Sequence, residues 1–168
     1  KKLKTGLHSI ESIISFINLF DDIKIKKHKK KHHEVKFYGK FSNGISKENT
    51  VINLLNLLDQ KKKLNGQKFM VKIDKNIPTK SGLGGGSMNA ASILKFLVSK
   101  NIIKLNKREM INITSQVGSD VIIGMQNRNS IIRYNGSINR TRKKFNFFVV
   151  LLKPTIGCST KKIYNSIS

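Results

Sequence analysis

Ser81-Gly82-Leu83-Gly84-Gly85-Gly86-Ser87 follows a strand-like segment, Phe69-Met70-Val71-Lys72-Ile73, and Pro78, and leads into a breaker-free stretch from Ser87 to Lys100. That stretch carries Ala90, Ala91, Leu94, Leu97 and Val98 at helical spacing, so the local order is strand, glycine-rich loop, helix. A loop that holds a triphosphate brings several backbone N–H groups close to the anion, and glycine leaves the space and dihedral freedom for that approach. Gly82, Gly84, Gly85 and Gly86 meet the requirement. The helix start adds unpaired N–H groups and partial positive charge. Two other nucleotide loops fail on spacing: no Gly-Lys-Ser/Thr closes this one, and Ser87 stands where G-x-G-x-x-G requires its last glycine. A flexible linker is the competing reading, but linkers do not usually lie between a strand and an Ala-rich helix.

Outward from the loop, Val51, Leu54, Leu55 and Leu58 mark an amphipathic helix over Asn49–Leu58, capped by Asn49 or Thr50. Asn106-Lys107-Arg108-Glu109 has the form of a capping box for a helix running to about Gln116. Ile23-Lys24-Ile25-Lys26 and Val35-Lys36-Phe37 alternate as half-buried strands, joined by an exposed hairpin loop of Lys and His around Lys29–His33. No carboxylate or Cys pattern completes a metal site with His28, His32 and His33, so the run reads as a solvated charge cluster. Ser9–Phe20 mixes helical spacing with β-branched richness and is assigned to strand. Val121–Ile123, Ser130–Tyr134 and Phe145–Leu152 are further predicted strands, with Gly136 in the turn between the last two.

The 168 residues leave room for one domain and at most the start of a second. Lys plus Arg number 33 against 9 Asp plus Glu, a formal charge of +24. The excess is scattered through a chain crowded with Ile and Asn. It therefore reads as a compositional bias of the kind an AT-rich genome imposes, with no specific nucleic-acid partner implied. The single cysteine, Cys158, cannot form an internal disulfide, which suits a reducing compartment: bacterial cytoplasm or a plastid-type stroma. No apolar run approaches the roughly 20 residues of a membrane span, so no membrane partner is expected. The chain opens on Lys1 rather than Met and is expected to begin inside a longer protein and to end early, within a helix that starts after Ser159.

Phosphoryl transfer to an alcohol calls for a carboxylate near the attacking hydroxyl. After the loop the only carboxylates are Glu109 and Asp120, the latter in Val117-Gly118-Ser119-Asp120-Val121. On sequence alone Asp120 is a catalytic candidate or a turn residue. Ser87 is a metal ligand or a helix cap.

Pro78-Thr79-Lys80-Ser81-Gly82-Leu83-Gly84-Gly85-Gly86-Ser87-Met88-Asn89-Ala90-Ala91 resembles the phosphate-loop signature of the GHMP small-molecule kinases. Gly6-Leu7-His8-Ser9-Ile10, Glu48-Asn49-Thr50-Val51, Gly118-Ser119-Asp120-Val121 and Lys153-Pro154 through Tyr164 resemble further family segments in the same order. The resemblance implies an α+β architecture. Residues 1–144 would form an ATP-binding N-terminal domain like the second domain of ribosomal protein S5, and 145–168 the start of a ferredoxin-like C-terminal domain.

It also implies an activity: transfer of the γ-phosphate of ATP, with Mg2+, to the 2-hydroxyl of a cytidyl diphospho-methylerythritol substrate in non-mevalonate isoprenoid synthesis. On this resemblance Pro78, Ser81, Gly82, Leu83, Gly84, Gly85, Gly86 and Ser87 hold ATP, and Ser87 ligates the metal. Asp120 is the catalytic aspartate at the substrate hydroxyl, His8 bonds the cytosine edge, and Tyr164 stacks on the ring. Leu7 replaces a usual Tyr, Met88 a common Ser and Ile122 a common Pro. The family lysine that partners the aspartate sits in an Ala-Lys-Ile-Asn-like strand absent here and expected upstream of Lys1, without which the fragment is expected to be inactive. A GHMP kinase for another alcohol, of homoserine or mevalonate type, is the enzyme alternative. A basic RNA-binding domain on the shared ribosomal-type fold is the non-enzyme alternative.

Overall fold

The computed structural model describes residues 11–141 and 147–152, which carry β1 (Ser12–Ile14), β2 (Asp22–His28), β3 (Glu34–Tyr38), α1 (Thr50–Gln60), β4 (Lys68–Asp74), α2 (Gly85–Ser99), α3 (Lys107–Val117), α4 (Val121–Gly124), β5 (Ser130–Ile132) and β6 (Ile138–Arg140). The mixed helix and sheet content is the α+β class expected from the sequence. Two compact units are present. One takes Leu19–Thr79 and Leu83–Met125, and the other takes Lys80–Gly82 with the chain through Asn18 and from Gln126.

The larger unit is a three-stranded sheet of order β2-β4-β3, one face of which packs on the helices. The centre falls to β4 because its alternation is the most apolar: Phe69, Val71 and Ile73 are buried while Lys72 and Asp74 point away. On the flanking strands Ile23, Ile25, Val35 and Phe37 are only partly buried, as edge positions allow. Leu54, Leu55 and Leu58 of α1 and Ala90, Ala91, Leu94 and Leu97 of α2 complete the core with Ile113 of α3 and Val121 of α4. Each such burial contributes on the order of 1–3 kcal/mol, scaled by side-chain size. Asn49 caps α1 by accepting from the Val51 and Ile52 N–H groups (both 3.1 Å), and Asn106 with Glu109 forms the expected capping box on α3.

In the smaller unit β5 pairs antiparallel with both β1 and β6. Gly136, at φ +79°, turns β5 into β6, with Arg133 N–H donating to Ser137 O at 2.9 Å.

Several sequence expectations need correction. The two strands flanking Lys29–His33 are not hairpin partners: β4 lies between them, pairing antiparallel with β2 and parallel with β3. A hairpin is a local solution, and the more apolar β4 takes the central place from a distance in sequence. Val121–Ile123 is helix, not strand. The closeness of α4 to α2, where a Cβ on Gly124 would stand 2.7 Å from that of Ala91, buries Val121 and Ile123 and overrides their β-branched preference.

Within the described residues the Ser9–Phe20 strand shrinks to β1, and the Gly136 turn leads to β6, which the sequence reading missed. Residues 147–152 form no strand and expose every side chain, so their apolar character finds no ladder partner among the described residues. His33 is no solvated residue. It is buried, stacks on Phe69, accepts from the Phe69 N–H at Nδ1 (3.1 Å) and donates from Nε2 to Asp59 (3.0 Å).

Candidate functional site

The glycine loop meets α2 two residues earlier than the apolar pattern suggests. Met88 N–H donates to Gly84 O at 2.9 Å, making Gly84 the N-cap and Gly85, Gly86 and Ser87 the first turn. Gly84 sits at φ +66°, in the left-handed region that glycine enters without steric penalty. Having no side chain, it offers no capping acceptor, so the first-turn N–H groups retain their capacity for an external anion.

Gly85 and Gly86 have a packing role that the sequence did not reveal. A Cβ on Gly85 would stand 3.0 Å from Ile77 Cγ2, and one on Gly86 would stand 3.2 Å from Thr50 Oγ1. Their bareness lets the first turn of α2 pack against the end of β4 and the start of α1.

Asp120 lies at the N-cap position of α4 without capping it; its Oδ1 accepts from Ser119 Oγ at 3.1 Å and the side chain is exposed. Its Oδ2 is 4.0 Å from where a Cβ on Gly84 would be. Two residues further back in the same turn, a Cβ on Gly118 would stand 3.8 Å from Ser87 Oγ. The turn from α3 to α4 thus runs beside the start of α2, bringing Asp120, Gly84 and Ser87 together although about 33 to 36 positions separate them. Pro78 and Leu83 belong to the same unit, whereas Ser81 and Gly82 belong to the other. His8 and Tyr164 lie outside the described residues.

Sequence reasoning missed a buried polar cluster under the loop. The Asp21 side chain is fully buried, pairs with Lys75 Nζ, and accepts from Asn89 Nδ2 and from the N–H groups of Asn76 and Ile77, each at 2.8 Å. Lys75 Nζ is in turn 3.4 Å from the Cβ position on Gly85. No local signal marked it: Asp21 stands beside Asp22, and Lys75 lies between Asp74 and Asn76.

Elsewhere, burial lowers the His33 pKa below its usual 6.5 against the pull of Asp59. Lys63, with the Asn106 N–H behind it, holds Glu109 below the usual carboxylate range. Lys36 and Lys30 bring Glu34 down to about 2.

Residues 49–128 match the family described as GHMP kinases N terminal domain. Over those residues the chain corresponds to a GHMP kinase N-terminal domain, in keeping with its glycine loop and the helix that follows. Within that class, it is 48% identical over 164 residues to the 4-diphosphocytidyl-2-C-methyl-D-erythritol kinase of Pelagibacter ubique (strain HTCC1062), covering 98% of this chain and 58% of that protein. It is 31% identical over 170 residues to the kinase of the same name from Thermotoga maritima, covering 99% of this chain and 59% of the relative. The chain thus spans a little under three fifths of these curated relatives.

Among solved structures, a 4-(cytidine 5'-diphospho)-2C-methyl-D-erythritol kinase superposes with a TM-score of 0.64 at 19% identity, over 83% of this chain and 48% of that one. A homoserine kinase from Cytophaga hutchinsonii gives 0.53 at 16%, over 86% and 50%. At these identities the two structures speak to the fold alone.

Proposed function

We propose that the protein to which this chain belongs transfers the γ-phosphate of ATP to the 2-hydroxyl of 4-diphosphocytidyl-2-C-methyl-D-erythritol. The observation that carries the reading is the placement of the Asp120 carboxylate beside Gly84, at an α2 N-terminus left uncapped. The N–H groups of Gly85, Gly86 and Ser87 meet phosphate charge there, and the helix dipole adds to them. Asp120, exposed and within reach of the same place, accepts the proton of the attacking alcohol, which makes the oxygen a better nucleophile as it bonds to the γ-phosphorus and ADP leaves. Pro78 and Leu83, of the same unit, extend the proposed ATP cradle; Ser81 and Gly82 as further ATP contacts, and His8 and Tyr164 as cytosine contacts, are proposed from the family resemblance alone.

The Ser87 hydroxyl, beside the Gly118–Asp120 turn at the start of α2, would hold Mg2+, with phosphate and water oxygens completing its coordination. When bound, the ion neutralises phosphate charge. The alcohol is assigned from the relatives named above, whose sequences align with nearly the whole chain. Among the described residues no helix is long and apolar enough to cross a membrane. Incubating the full-length protein with ATP and, in turn, the cytidyl substrate, homoserine and mevalonate tests the assignment. Phosphorylation of the cytidyl compound alone is expected, and preference for another alcohol overturns it.

A further inference from the structure

Four donors converge on one buried carboxylate beneath the glycine loop. Asp21, the residue before β2, accepts at Oδ1 from the Asn76 and Ile77 N–H groups and at Oδ2 from Lys75 Nζ and Asn89 Nδ2. Lys75, Asn76 and Ile77 form the chain that leaves β4 toward the loop. Asn89 is the fifth residue of α2, just past the loop. One side chain therefore holds both the strand end and the helix start between which the loop is strung. Asn76 Nδ2 adds a bond to Phe20 O at 3.2 Å. Ile77 and Lys75 are also the two side chains that approach Gly85 most closely.

A buried ion pair is a poor source of stability, because apolar residues of similar volume often serve as well or better. Its retention here is explained by direction. The carboxylate accepts four bonds at fixed angles, and an apolar contact would leave the strand end free to slide on the helix.

We propose that Asp21 is a positioning residue for ATP: through Lys75, Asn76, Ile77 and Asn89 it sets the angle at which the Gly85 and Gly86 N–H groups meet the phosphates. Asp21 does not touch the nucleotide and acts through the loop. The proposal rests on reading that loop as an ATP cradle, so nucleotide binding by the unaltered protein is measured first.

The test is made in the full-length protein with the double substitution Asp21→Asn/Lys75→Met, which removes both buried charges together and keeps an amide oxygen for the Asn76 and Ile77 N–H groups. Thermal midpoint, kcat, and KM for ATP and for the alcohol are compared. With the fold retained, KM for ATP is expected to rise about tenfold while KM for the alcohol stays within about twofold of the parent. Asn89→Ala, which strands no charge, is the second variant and is expected to raise KM for ATP about threefold, whether or not the double variant folds. A folded variant of either kind with parental KM for ATP overturns the positioning role, since a purely structural cluster would change the midpoint alone. Absence of ATP binding by the parent overturns the cradle reading and this proposal with it, a result distinct from any obtained with the variants.

Discussion

Asp120 and Gly84 face one another across the start of α2, with Asp120 Oδ2 4.0 Å from the place a Cβ on Gly84 would occupy. Three elements are needed for that relationship: the left-handed turn at Gly84, the break between α3 and α4, and the tight seat of α4 on α2.

Gly84→Ala challenges the first of these. At φ +66° an alanine costs about 1 kcal/mol in backbone strain, and its methyl group enters the space between loop and carboxylate. A denaturant midpoint lowered by that amount and a raised KM for ATP are expected; parental values for both would show that the turn is not needed.

Gly124→Ala challenges the third. The added methyl would stand 2.7 Å from Ala91 Cβ, so α4 must shift and carry Asp120 with it. Overpacking of this kind costs about 1–3 kcal/mol. Met88 Sδ and Cε would stand 2.9 and 3.0 Å from the same methyl, so adding Ala91→Gly is expected to restore only part of the stability and turnover. Parental stability and turnover in Gly124→Ala itself would show that the close seat of α4 on α2 is not needed.

His33 gives the larger unit a pH dependence of defined sign. Its Nδ1 accepts from the Phe69 N–H, so protonating that nitrogen forfeits the bond, and burial already lowers the pKa from 6.5. The unfolded chain then binds more protons just below pH 6.5, so His33 makes stability fall as pH drops through that region and recover above it. Denaturant midpoints measured from about pH 5 to 7 are expected to rise, with a shallower slope in His33→Gln. An unchanged slope in the variant would remove His33 as the source.

Asn106→Ala removes the capping box of α3, in which the Asn106 side chain accepts from the Glu109 N–H and Glu109 accepts from the Asn106 N–H, both at 2.9 Å. A loss of about 1 kcal/mol in unfolding free energy is expected from equilibrium denaturation. A loss below about 0.2 kcal/mol would show that Lys63, the other partner of Glu109, holds the helix start without the cap.

The elements legible in the sequence were those whose signal is local. Asn49 before a Val51–Leu58 stripe and Asn106 before Glu109 announce their helices, and β4 shows itself through Phe69, Val71 and Ile73. What escaped depends on partners distant in the chain. Val121–Ile123 looks like strand until Ala91 is placed against Gly124, and Lys29–His33 looks like an exposed hairpin until β4 comes between its flanks and Phe69 covers His33. At the site, the pairing of Asp120 with the loop came from resemblance and is matched by their closeness in the fold. Asp21 was invisible because it bears no motif and acquires meaning only when Lys75 and Asn89 converge on it.

The most direct test is the rate of phosphoryl transfer from ATP to the cytidyl substrate by the full-length protein and its Asp120→Asn variant, both confirmed as folded. If Asp120 takes the proton of the attacking hydroxyl, kcat falls by about 10²- to 10⁴-fold while ATP binding persists. A variant that turns over at close to the parental rate would contradict the account.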